Sequence, residues 1–208
     1  MKEIVFIDID TQFDFMRPEG ALYVKAAQAI IPQLKTLTTV ARENDIVIIS
    51  SVDSHIKNDL EFKQFPPHCV IGSPGQKKIP QTLLKRHILI PNKILNKKEL
   101  FSRIKGYKQL IVEKDTVYTF MDLNLLRILK AFKVAFVYGV ALDYCVKAAI
   151  VDLLRAGLTV NLVIDAAQSI DQKAGKLFLA QCKTSGVKFI KAKDAASEIK
   201  KYERTQKS

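Results

Sequence analysis

Six short apolar runs rich in β-branched residues recur at 3–9, 46–51, 109–113, 133–138, 159–164 and 187–190. Between them, apolar residues at three-to-four spacing mark helices at about 26–43, 122–131, 143–156 and 171–184. Runs that are apolar at nearly every position suit strands buried on both faces, and intervening helices specify parallel pairing. The pattern predicts a three-layer α/β/α fold around a mainly parallel sheet of about six strands. With 208 residues, 48% of them hydrophobic, the chain can fill such a core without disulfides or metal staples, and a single domain over 1–208 is expected.

The remaining composition narrows the setting. Cys69, Cys145 and Cys182 form no C-x-x-C pair and no even framework, so a reducing, cytoplasmic setting is expected. Residues 4–7 lack the basic flank and length of a signal peptide, and no stretch approaches the roughly 20 apolar residues of a membrane span. The net charge of +12 comes from lysines scattered in singles and short pairs, which reads as a solvated surface. Neither nucleic acid nor membrane is therefore an expected partner, and homo-oligomerisation is left open. The irregular region is 53–97, with Pro66, Pro67, Pro74, Pro80 and Pro91; a long ordered loop of this kind is expected to carry the active site. The polar tail from about 194 to 208 reads as a fraying helix.

Ligands of open parallel sheets bind beyond the carboxyl ends of the strands. That rule selects Asp10, Asp53, Lys114, Cys145 and Asp165, which follow or end five of the runs. Asp165 is read as a structural acid capping the following turn. Cys145, in "YGVALDYCVKAAIVDLLRAG", falls in the first turn of a helix with Asp143 as its expected N-cap. The helix dipole and a nearby Lys114 favour a thiolate there, and Asp10 can take the thiol proton and return it to a departing amine. A second group lies in "SVDSHIKNDLEFKQFPPHCVIGSPG": Asp53 and His55 are two residues apart, so an extended segment points both to one side, and His68 can close the set. One carboxylate with two imidazoles suits a catalytic transition metal. His87 reads as an ordinary strand-flank residue.

With "IDTQFDF", "DSH", "FPPHCVIGSPG", "VEKDTVYTF" and "GVALDYCVKAAIVDLLRAG" in this order, the chain resembles the isochorismatase-like cysteine hydrolases, above all their nicotinamidase branch. The resemblance runs from Ile4 to about Asp165 and implies their Rossmann-like fold. It implies a triad of Cys145, Lys114 and Asp10, and Asp53, His55 and His68 as ligands of one divalent transition metal, zinc first, with iron or manganese as alternatives. It further implies an oxyanion hole from the N–H groups of Ala141 and Cys145, a cis Val140–Ala141 peptide, and pocket walls from Phe15 and Phe65. The implied reaction is hydrolysis of nicotinamide to nicotinate and ammonia through a Cys145 thioester. Isochorismatase, ureido amidase and carbamoyl amidase activities are the alternatives within the family. The chain departs from the family at Phe65, where tryptophan is frequent, and at Asp53-Ser54-His55-Ile56, where D-W-H-P is frequent. Asp59 or Glu61 stands where many members carry a further histidine.

A different resemblance competes for the first strand. Asp8-Ile-Asp10-Thr11 looks like the D-x-D-x-T signature of haloacid dehalogenase-type phosphatases, with Asp8 as nucleophile, Asp10 as acid–base, Ser50 or Ser51 on phosphate and Lys114 as charge stabiliser. The paired acid that such enzymes need for magnesium is missing at "VIDAAQSID". In the cysteine-hydrolase reading Asp8 must find a cation or N–H donors, or have a raised pKa. Asp14 is expected to start the following turn.

Overall fold

The computed structural model describes residues 2–116 and 123–205. Seven parallel strands form one sheet: β1 (Ile4–Ile9), β2 (Val47–Asp53), β3 (His87–Ile90), β4 (Gln109–Lys114), β5 (Val134–Val140), β6 (Thr159–Gln168) and β7 (Lys188–Ile190). Their order is β3-β4-β2-β1-β5-β6-β7, so the chain reverses direction across the sheet beside β1. The helices are α1 (Phe13–Met16), α2 (Ile31–Glu43), α3 (Lys97–Ile104), α4 (Leu123–Leu129), α5 (Cys145–Arg155), α6 (Gln172–Thr184) and α7 (Ala195–Thr205).

Strand parity separates the two faces. Val5, Ile7 and Ile9 of β1 join Ala135 and Val137 of β5 in a core covered by α3, α4, α5 and α6. Ile4 and Phe6 join Val134, Phe136 and Tyr138 in the opposite core, beneath α1, α2 and α7. These are the expected three layers. Each large apolar side chain buried this way contributes about 1.5–3 kcal/mol. At Gly139, with φ 118°, a Cβ would stand 2.1 Å from the Ile9 carbonyl oxygen, so only glycine lets β5 close against the end of β1.

The sheet has one strand more than the expected six. The addition is β3, which lies inside the region 53–97 and pairs with β4. Its four residues alternate in exposure and follow Lys85-Arg86, too short a stretch to stand out by pattern. The helix expected at 26–43 starts as a 3-10 turn at Ala27–Ile30 and becomes α2 at Ile31. The helix expected at 122–131 is described from Leu123 to Leu129, and its first residue lies outside the described residues. So does 117–120, the end of the "VEKDTVYTF" motif. The tail helix is docked through buried Ala195 and Ile199 up to Thr205, not frayed; 206–208 lie outside the described residues.

Candidate active site and metal centre

The strand order brings the polar strand ends together. Asp53 closes β2 in register with Lys114, the last residue of β4. Asp10 follows β1 on the other side of β2, with its N–H donating to Ser51 O at 3.3 Å. Cys145 is the first residue of α5, directly after β5, the neighbour of β1. Four segments far apart in sequence thereby meet at the sheet's carboxyl edge.

Lys114 Nζ lies 3.0 Å from Asp10 Oδ2 and 3.6 Å from Cys145 Sγ, and it also pairs with Asp53 Oδ1. Burial favours the neutral lysine, but the charges of Asp10 and Asp53 outweigh it and hold its pKa well above the usual range. One ammonium must serve two buried carboxylates, and it serves them unequally. Burial opposes the charge of Asp53, yet Lys114, His55 and His68 keep it far below the ordinary range. Burial raises Asp10, with Lys114 opposing and Asp53 reinforcing the rise, although Ser51 Oγ donates to it at 2.6 Å. Asp53 is therefore the permanent anion and Asp10 the carboxylate able to accept a proton.

Cys145 departs from the thiolate expected at a helix start. Burial pushes its thiol well up, Lys114 pulls it down, and Asp10 and Asp53 push it further up. Two nearby carboxylates and desolvation thus outweigh one lysine and favour the protonated thiol. Asp143 is not the N-cap: Tyr144 holds that position, and the Asp143 carboxylate accepts from Ile170 N at 3.0 Å and Asp171 N at 2.7 Å. It braces the β6–α6 connection. Asp165 is also displaced from its expected place. β6 runs on to Gln168 through a register shift, and Asp165 accepts from Ala192 N at 2.8 Å beyond β7.

The Val140–Ala141 peptide is cis. Among the described residues the N–H groups of Ala141 and Cys145 donate to no protein acceptor, whereas those of Leu142, Tyr144 and Val146 do. A pocket at this point is lined by Asp10, Asp53, Ala141 and Cys145 together with Phe15, Phe65, His68 and Tyr144. Phe15 and Phe65 flank His68, with ring centroids 5.3 and 6.3 Å from its own. Glu61 and Val140 also line it, as do Tyr144, Leu22, Val24 and Ile170, which escaped the sequence reading. Only Tyr144, adjacent to Cys145, carried a signal that could have found it.

His68 reaches the Asp53–His55 pair through a short bridge between His55 and Val70. His55 N donates to Cys69 O at 3.2 Å and Ile71 N to His55 O at 2.9 Å. Asp53, His55 and His68 each present one ligand atom, all within 4.8 Å of one another. His55 Nδ1 meets Asp59 Oδ2 at 3.0 Å, and His68 Nδ1 donates to Pro66 O at 2.8 Å. Both Nε2 atoms are thereby turned toward Asp53 Oδ2, at 3.8 and 3.7 Å. Burial pulls the His55 imidazole down, but Asp53 and Asp59 raise it to about 9. His55 Nε2 is buried with no hydrogen-bond partner among the described residues, and imidazoles oriented through Nδ1 with converging Nε2 atoms are the arrangement a transition metal requires. The trio fits a metal. Glu61 stands outside it, with Oε1 3.9 Å from His68 Nε2.

Two further residues of the opening motif hold this loop. The Gln12 side chain accepts from Asp53 N at 2.7 Å and donates to Asp53 O and Gln76 O at 2.8 and 2.7 Å. Asp14, expected to start a turn, lies inside α1 and accepts from Cys69 N at 2.7 Å and Ala21 N at 3.0 Å. Asp8 has the cationic partner that its position demanded, Lys78 at 2.8 Å. Both Asp8 oxygens are engaged by Lys78, Ser50 and Thr11, on the strand face turned to α2, and Asp8 is not among the residues that line the pocket.

Comparison with known proteins bears on the fold. The family model for the Isochorismatase domain matches residues 95–194, a stretch that includes Lys114, Ala141 and Cys145. No curated protein sequence matches the chain. The pyrazinamidase of Pyrococcus horikoshii, solved with zinc, superposes with a TM-score of 0.74 at 26% identity over 91% of this chain and 99% of that one. The nicotinamidase/pyrazinamidase of Bacillus subtilis gives 0.74 at 24% identity over 92% and 100%. The N-carbamoylsarcosine amidase of Thermoplasma acidophilum gives 0.70 at 19% over 92% and 97%. In fold, and in sequence over 95–194, the chain is similar to isochorismatase-like hydrolases. No helix among the described residues is long and apolar enough to cross a membrane.

Proposed function

We propose that the chain hydrolyses the carboxamide of nicotinamide to nicotinate and ammonia. The observation that carries this reading is the contact of Lys114 with both Asp10 and Cys145, which line one pocket together with Asp53 and His68. In the first step Asp10 takes the thiol proton as Cys145 Sγ bonds to the carboxamide carbon. The N–H groups of Ala141 and Cys145 receive the negative oxygen; a donor of this kind contributes about 3–4 kcal/mol in hydrolases of this mechanism. The C–N bond then breaks as Asp10 passes its proton to the departing amine. Asp10 next deprotonates a water that attacks the thioester, and Cys145 leaves as the thiol. Lys114 stays cationic and holds Asp10 beside the nucleophile. Phe15 and Phe65 pack the aromatic ring.

A divalent transition metal held by Asp53, His55 and His68, zinc before iron or manganese, would supply a Lewis-acid site for a pyridine nitrogen or a water. The nearest rival is a carbamoyl or ureido amide, which the same triad would serve; likeness to the carbamoylsarcosine amidase supports it. Ammonia release measured over nicotinamide, pyrazinamide, ureides and carbamoyl amino acids separates the two readings, with metal content determined on the same protein. Turnover of nicotinamide that is lost in Cys145→Ala and after chelation supports the proposal. Ammonia released from ureides alone rejects the substrate, and full activity in Cys145→Ala rejects the mechanism.

A further inference from the structure

Asp8 takes no part in the chemistry above, yet it is a carboxylate at 1% exposure in a strand whose other residues are all apolar. Lys78 Nζ donates to Asp8 Oδ2 at 2.8 Å and to Thr11 Oγ1 at 2.6 Å, and Thr11 Oγ1 donates to Asp8 Oδ1 at 2.9 Å. The three side chains form a closed ring. Lys78 arrives there by backbone pairing: it bridges Gln12, while Phe13 N donates to Lys77 O at 2.8 Å and Ile79 N to Thr11 O at 3.0 Å. The returning end of the metal loop therefore lies along residues 11–13, and its lysine turns back beneath β1.

Between the gripped residues 8 and 11 stands Asp10, with φ 49°. Left-handed backbone is uncommon in residues with a side chain, although aspartate enters it more readily than most. Gln12 N closes the turn onto Asp10 O at 2.7 Å. Without the ring, the exit of β1 can relax toward extended backbone, which would swing the Asp10 carboxylate off Cys145.

We propose that the buried Lys78–Asp8 pair is a positioning device that clamps Thr11 to β1 and so aims Asp10 at the nucleophile. This rests on the acid–base role given to Asp10. A buried ion pair can often be exchanged for apolar side chains without loss of stability, whereas removing one partner strands a charge. That difference separates positioning from stability.

The experiment compares Lys78→Met, Asp8→Leu and the double variant Asp8→Leu/Lys78→Met for thermal midpoint, kcat and KM on nicotinamide. Each single change lowers the midpoint. The double variant is expected to regain it while kcat stays down about tenfold and KM moves less than about twofold, as for other losses of residues that orient catalytic groups. A double variant with restored midpoint and wild-type kcat overturns the proposal. Thr11→Val, which removes one hydroxyl and leaves the ion pair, covers the case in which the double variant does not fold. Reduced kcat at unchanged KM supports the device, and unchanged kcat overturns it. Should the wild type release no ammonia from nicotinamide, the substrate reading fails while this inference stays testable through the iodoacetamide alkylation rate of Cys145 at neutral pH. Thr11→Val is expected to raise that rate severalfold if Asp10 loses its aim, because the aimed carboxylate disfavours the Cys145 thiolate, and an equal or lower rate overturns the inference.

Discussion

Gln12 holds Asp53 by both sides of its peptide backbone, accepting from the N–H at 2.7 Å and donating to the carbonyl at 2.8 Å. Residues 41 positions apart are joined here as two paired strands would be, and the metal loop begins from that join. Replacing Gln12 by Leu removes both bonds and leaves the Asp53 backbone groups buried and unpaired. A loss of about 1–3 kcal/mol is expected by denaturant unfolding. Metal affinity, read by competition with a chromophoric chelator, should weaken about 10- to 100-fold, as for other residues that orient ligands from behind.

Lys114 is the sole cation in contact with both Asp10 and Asp53 among the described residues. Lys114→Met keeps the side-chain volume and deletes the charge, leaving two buried carboxylates facing one another. Stability is expected to fall by about 3–5 kcal/mol, because an uncompensated buried charge remains. Asp10, already raised by burial, should take up the proton that relieves the repulsion. It then cannot serve as base, and kcat should drop by about 10² or more in steady-state assay.

The raised thiol of Cys145 makes its alkylation pH-dependent in a defined direction. The reactive species is the thiolate, and burial with two carboxylates disfavours it. The rate constant for iodoacetamide should therefore rise with pH and keep rising beyond about 8.5, where a free cysteine levels off. Mass-spectrometric mapping isolates Cys145 from Cys182, which burial pushes up to about 11, and from the more strongly raised Cys69. A rate already at its plateau at neutral pH would contradict the electrostatics described for the site.

Gly75 lies against the Asp14 carboxylate so closely that a Cβ would stand 2.0 Å from Oδ2. Gly75→Ala is expected to drive that carboxylate off the Cys69 N–H and displace His68, the preceding residue. About 1–3 kcal/mol of stability should be lost in denaturant unfolding, and metal affinity should weaken while the Cys145 alkylation rate is retained. An unchanged metal affinity would mean that Asp14 does not hold the loop.

Much of the site was legible because the rule for parallel sheets converts strand ends into neighbours. Asp10, Asp53, Lys114 and Cys145 each adjoin a strand recognisable from its apolar run, so their convergence followed from the fold class. His55 followed from its two-residue spacing after Asp53. His68 was harder, because its approach depends on a bridge between His55 and Val70 that has no periodic signal. Asp143 misled for a related reason: an acid two residues before a helical cysteine matches a cap by composition, while the chain bends its carboxylate toward Ile170 and Asp171 instead.

Periodicity and residue order by themselves determined the layered parallel fold and the set of groups at its carboxyl edge, since burial of alternating and helical faces is read from near neighbours in the chain. Only the tertiary structure decided how charge is divided there. Which carboxylate stays ionised, whether the thiol keeps its proton, and why Asp8 is buried all depend on desolvation and on partners such as Lys78, which lies 70 residues from Asp8. Those energies arise from distances between segments that the order of residues does not contain.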